Sequence, residues 1–152
     1  MSDVKNGIGK TIYDNAREHF TGNFPESLPI EQAYVHIGMY LGWIIENELF
    51  SEYFEDEAGL QVIRFRNRDI SCTVLCELWD GYLGHELFNE TGNLFTHYYY
   101  GGGIYRKDYE IILKGEKPSI YHVTDSWENY ELMSARITVR FREWEELTRL
   151  DS

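Results

Sequence analysis

The chain has 152 residues, 43% of them hydrophobic, which is enough for one domain with a self-sufficient core. Its 26 acidic and 14 basic residues give a net charge of −12, which argues against nucleic acid and anionic membranes as partners. Two cysteines, Cys72 and Cys76, are too few for a disulfide framework or a zinc site, and their spacing on a helix suits no relaxed disulfide.

Residues 1–10 read as a flexible N-terminus without an apolar signal core, and no apolar run reaches membrane-spanning length. The expectation is one domain over 1–152, in the cytoplasm, with both thiols reduced. Ile12 to Phe20 reads as a short helix, ended by "TGNFP". "PESLP" is an ordered turn into a long helix from Ile30 to Phe50. There Ile30, Ala33, Tyr34, Ile37, Leu41, Ile44 and Ile45 recur at helical steps. Gly38 and Gly42 cost roughly 1 kcal/mol each inside a helix, so they point to close packing by another segment. His36, Tyr40, Trp43 and Asn47 fall on an adjoining face.

From Glu18 to Ile63 there are nine acidic residues and no Lys or Arg. The densest part carries Glu46, Glu48, Glu52, Glu55, Asp56 and Glu57, with Tyr53 and Phe54 among them. Such a run is either a solvated helical face or a docking surface for a basic protein. Residues 60–68 alternate well enough for a strand and equally allow a helix. Ile70, Val74, Leu75 and Leu78 read as a buried helix that "DGYLG" breaks.

Glu90 to Tyr100 reads as a helix with Leu94, Phe95 and Tyr98 on one side. In "FTHYYYGGGIY", Gly101 sits where a helix C-terminus wants a left-handed residue, and a second helix follows to about Leu113. No GK[ST] ending or GxGxxG pattern accompanies the glycines, so they read as a hinge between helices rather than a phosphate loop. Ser119 to Val123 is the best extended segment. The last helix, Ser126 to about Thr148, carries Trp127, Tyr130, Met133, Ile137, Phe141 and Trp144 at helical spacing. Asp125 and Glu128 before and within it approximate a capping box. The fold class is therefore mainly α: a single compact helical domain with at most a short β-hairpin or strand pair.

Five histidines occur, without HExxH, HxH or CxxC, so no metal site has local support. One assembled from distant residues stays open, and no cofactor is expected. There is no GxSxG elbow; Ser126 with His122 and Asp125 lies in one local segment that helix capping explains more simply. A pocket lined by His36, Tyr40, Trp43, His122, Asp125 and Trp127 would suit a small ligand or an enzyme.

"YDNAREHFTGNFPESLP", "HIGMYLGW", "GNLFTHYY" and "YHVTDSWENYELM" resemble, in that order, an uncharacterised family of small bacterial proteins. Its members look like "HxGGDFPxDLP", "THIGMFLAW" and "YHVxDSWENF". The match runs from about Tyr13 to Trp144, and Thr21 in "FTGNFP" departs from it. The resemblance draws attention to His36, Gly38, Met39 and Trp43, and to His122, Asp125, Ser126, Trp127, Glu128 and Asn129. It carries no activity, but in size and style it is similar to immunity proteins of toxin systems. The leading expectation is an immunity-type inhibitor of a basic bacterial toxin, with enzyme activity left open. The alternative is a small-ligand-binding protein or an enzyme with its site around His36, Trp43, His122 and Asp125.

Overall fold

Helix α2, Val35–Glu46, is the axis of the fold, and every residue from Val35 to Ile45 is buried. The chain is described here from a computed structural model covering residues 11–151; residues 1–10, expected to be flexible, lie outside that span. A helix apolar all round must be surrounded, so His36, Tyr40 and Trp43 are core residues rather than a separate face. Tyr40 Oη pairs with Thr96 Oγ1 at 2.9 Å, and Trp43 Nε1 donates to Thr138 Oγ1 at 3.0 Å. The two glycines are where neighbours come closest. A Cβ on Gly38 would stand 2.1 Å from the carbonyl oxygen of Cys72, and one on Gly42 would stand 2.5 Å from Cζ of Phe65.

Those neighbours are helices α3, Glu52–Arg66, and α4, Cys72–Leu78. Residues 60–66 are helical. Phe54, Ala58, Val62 and Phe65 recur as one buried stripe, while Arg64 and Arg66 face water, a period that a strand cannot satisfy. In α4 only Cys72, Leu75 and Cys76 are buried; Val74 and Leu78 are exposed, because α4 offers a single side to α2. Both thiols are free.

The long first helix is shorter than its sequence pattern. A 3-10 turn, Ile30–Ala33, precedes α2 after Pro29, and Ile30 is exposed. At the other end the chain turns through Glu48, whose φ is 56°. The N-terminal stretch is not one helix. Strand β1, Ile12–Asn15, pairs antiparallel with β2, Tyr82–Gly84, so "DGYLG" builds a strand as well as ending α4. The Asn15 side chain then caps α1, Ala16–Phe20, by accepting from the Arg17 N–H at 2.9 Å.

Helix α5, Glu90–Tyr99, buries Gly92, Phe95, Thr96 and Tyr99, and leaves Leu94 and Tyr98 half exposed. The helix is rotated from the expected face because Phe95 stacks on Tyr99, ring centres 5.2 Å apart, and Thr96 must meet Tyr40. The left-handed residue is Gly103, with φ 82°, rather than Gly101. Helix α6, Ile104–Tyr109, follows and widens into a π-helical turn, Glu110–Lys114. Ser119 to Val123 is not a strand. Ser119 Oγ accepts from the Tyr121 N–H and pairs with His122 Nδ1, closing a 3-10 turn over Ile120–His122.

Helix α7, Trp127–Asp151, buries Tyr130, Met133 and Ile137 against the core. Ser126 Oγ accepts from the Asn129 N–H at 3.1 Å, as a cap should. Asp125 instead accepts from the Thr73 N–H at 3.0 Å and caps α4, so it joins two helices. Among the described residues, no helix is long and apolar enough to cross a membrane.

Candidate functional site

The most concentrated polar chemistry in the core is at Asp14. β1 delivers Asp14, α1 delivers His19 and the first turn of α2 delivers His36. Asp14 Oδ1 lies 2.6 Å from His19 Nε2 and accepts from the Asn15 N–H at 2.8 Å. Its Oδ2 lies 3.2 Å from His36 Nε2 and accepts from the Tyr100 hydroxyl. The two imidazoles meet edge to face, with Nε2 atoms 3.3 Å apart. His19 Nδ1 pairs with the Tyr121 hydroxyl at 2.5 Å.

Burial works to raise the Asp14 pKa, but the hydrogen bonds from His19 and His36 outweigh it and hold the carboxyl well below its ordinary range. For His36, burial wins over the Asp14 hydrogen bond and pushes the pKa down, so the ring is neutral at neutral pH. Burial and the Asp14 charge push the Tyr100 hydroxyl well up, which keeps it a donor.

A small, partly open cavity of about 40 Å³ adjoins this centre, lined by His19, His36, Tyr100, Tyr105, Arg106, Tyr109 and Ile120. Two buried polar atoms of the lining residues have no hydrogen-bond partner: His36 Nδ1 and Tyr109 Oη. His36 is 4% exposed and Tyr109 1%. Leaving a buried polar group unpaired costs about 1–3 kcal/mol, so packing alone does not account for either.

The acidic stretch forms a second region on the surface. Glu52, Glu55, Asp56 and Glu57 are exposed along α3, and no described residue makes an ion pair with them. Glu46 is held by the Tyr130 hydroxyl, and Glu48 lies 3.7 Å from Arg66, so these two are already engaged within the fold. Tyr53 is 51% exposed, whereas Phe54 is fully buried against Trp79 and cannot face a partner. Beside Tyr53 an open groove of about 540 Å³ is lined by Leu78, Trp79 and Tyr82, by the acidic Asp80 and Glu86, and by Asn15 and one basic residue, Arg17.

A family model described as a domain of unknown function, DUF7832, matches residues 12–123. The chain belongs to that family. Comparison with curated proteins and with solved structures gives no match. The DUF7832 span contains Asp14, His19, His36, Tyr109 and Tyr121 and the whole of α3, and it stops before α7. The "DSWENY" stretch at the start of α7 therefore falls beyond it.

The residues expected to line one pocket do not gather. His36 alone lines the cavity. Tyr40 and Trp43 are tied to Thr96 and Thr138, His122 to Ser119 and Asp125 to α4. Trp127 packs on Phe65 beneath the Arg68 guanidinium, 4.1 Å from its ring centre. Asp14 and His19, not singled out from the sequence, take their place. Their only signal was position: they open the DUF7832 match and share the stretch "YDNAREHF".

Proposed function

We propose that this DUF7832 protein is a cytoplasmic protein-binding domain, an immunity-type inhibitor that covers the basic surface of a bacterial toxin. The observation that carries the reading is the adjacency of an acidic helix face and an aromatic groove. Glu52, Glu55, Asp56 and Glu57 stand on the same helix as exposed Tyr53, whose ring centre is 6.3 Å from that of Trp79 in the groove. Carboxylates opposite Lys and Arg accelerate encounter, and rigid aromatics that become buried slow dissociation. The net charge of −12 favours the same class of partner. The groove is large enough for one or two inserted side chains, whereas the small cavity at His36 is far below the several hundred Å³ of an ordinary metabolite site. Two buried free thiols suit a reducing cytoplasm.

The test is association kinetics with a basic toxin domain encoded beside the gene. Reversing Glu52, Glu55 and Asp56 to Lys should slow association at least tenfold and flatten its salt dependence, with the far-ultraviolet circular dichroism unchanged. Tyr53→Ala should act mainly on dissociation. Unchanged kinetics in both variants would reduce the acidic face to solvated surface.

A further inference from the structure

We propose that Asp14, His19 and His36 bind one divalent transition-metal ion, leaving an open coordination position toward the adjoining cavity. This stands independently of the docking surface on α3.

The donor set is the first argument. Two imidazoles and one carboxylate suit zinc and its first-row neighbours, and three protein ligands are the number that leaves a position for water or substrate. Geometry is the second. Metal–nitrogen and metal–oxygen bonds of about 2.0–2.1 Å in a tetrahedron place neighbouring donors roughly 3.3 Å apart. The two Nε2 atoms are 3.3 Å apart, and His36 Nε2 is 3.2 Å from Asp14 Oδ2. His19 Nε2 lies 2.6 Å from the other carboxylate oxygen, Asp14 Oδ1, so the carboxylate has to turn to offer the ion a single oxygen and that contact has to open. One ligand atom from each of the three residues lies within 4.8 Å of the other two.

The surrounding shell fits as well. When each Nε2 lone pair faces the ion, the ring proton sits on Nδ1 and needs an acceptor. His19 Nδ1 has one in the Tyr121 hydroxyl at 2.5 Å. His36 Nδ1 is buried and unpaired, and so is the Tyr109 hydroxyl on the same cavity. The adjoining cavity has room for water, and a small shift of these side chains is needed before such water can pair with either atom. Tyr100 holds Asp14 Oδ2 and so orients the carboxylate. Arg106 also lines the cavity, with its guanidinium ion-paired to Glu110 at 3.4 Å.

The test uses the full, tag-free chain stripped with chelator and titrated with zinc and with cobalt. Wild type should take up one ion per chain, and cobalt should give the visible bands of a low-symmetry four- or five-coordinate site. His19→Gln should weaken zinc binding on the order of 100-fold or more, and Tyr121→Phe, which removes only the orienting hydroxyl, by about 10–100-fold. His97→Gln, at an exposed histidine, is the control and should leave affinity unchanged. Circular dichroism of each stripped variant shows whether it folds. Wild type that binds no stoichiometric ion overturns the proposal whatever the variants do. It falls equally if folded His19→Gln binds as wild type, or if His97→Gln weakens binding as much as His19→Gln does.

Discussion

Arg140 grips Asp108 through both carboxylate oxygens, Nε to Oδ2 at 2.9 Å and Nη2 to Oδ1 at 3.0 Å, and so fastens α7 to α6. The Tyr99 hydroxyl adds a third hydrogen bond to Oδ2 at 2.8 Å. The Asp108 side chain is 3% exposed and that of Arg140 is 30%, so one partner is buried and the other reaches water. Together with Trp43–Thr138, this bond fixes to the core a helix that the DUF7832 match does not include.

Asp108→Asn should cost about 2–3 kcal/mol at neutral pH, below the range for a fully buried pair because Arg140 keeps access to solvent. Burial works to raise the Asp108 pKa, but the Arg140 and Tyr99 hydrogen bonds prevail and hold it below the ordinary 3.8. Its contribution is therefore complete above that value and is lost as pH falls below it toward the folded value. Urea unfolding at pH 7 and at pH 3 should show the gap between wild type and variant narrowing in acid. A constant gap would mean that ionisation of Asp108 adds nothing.

Gly38→Ala and Gly59→Ala should act in opposite directions. The new methyl at Gly38 would meet the Cys72 carbonyl at 2.1 Å, a backbone atom that cannot rotate away. A net loss of about 1–3 kcal/mol is expected even after the gain in helix propensity. A Cβ at Gly59 on α3 meets nothing within 4 Å, so alanine should stabilise by about 0.5–1 kcal/mol. Thermal unfolding of the two variants gives the signs directly.

Neighbouring aromatics on α3 should separate structure from binding. Phe54→Ala empties a fully buried site and should cost about 3–5 kcal/mol. Tyr53→Ala, half exposed, should stay within about 0.5 kcal/mol of wild type. Equal destabilisation by both would show that Tyr53 is a core residue and not available to a partner.

Cys72 and Cys76 should resist thiol reagents in the native state. Burial raises both thiol pKa values, nearby acidic groups add to it, and the thiolate is the reactive form. At mildly alkaline pH both should react only as fast as the chain unfolds, and then with two equivalents. Rapid labelling of folded protein would contradict their placement under α2.

Much of the helical plan was legible from local pattern. The Ile37–Ile45 repeat, the stripe from Trp127 to Trp144 and the spaced pair Gly38 and Gly42 each report short-range geometry, and each corresponds to a real helix or close approach. Periodicity says which residues share a face. It does not say which face meets which neighbour, and so α5 is turned to bury Tyr99 rather than Tyr98, and α2 is buried all round. Asp125 looked like the cap of its own helix and caps another, because a carboxylate binds whichever free N–H the packing brings near. The Asp14 centre was the least legible part. Asp14 and His36 are 22 positions apart on different elements, and no spacing rule links a strand end to the first turn of a distant helix. The residue types were set by the sequence alone. Their meeting was decided only when β1 paired with β2 and carried Asp14 beside α2, since a carboxylate and two imidazoles interact through distances in space.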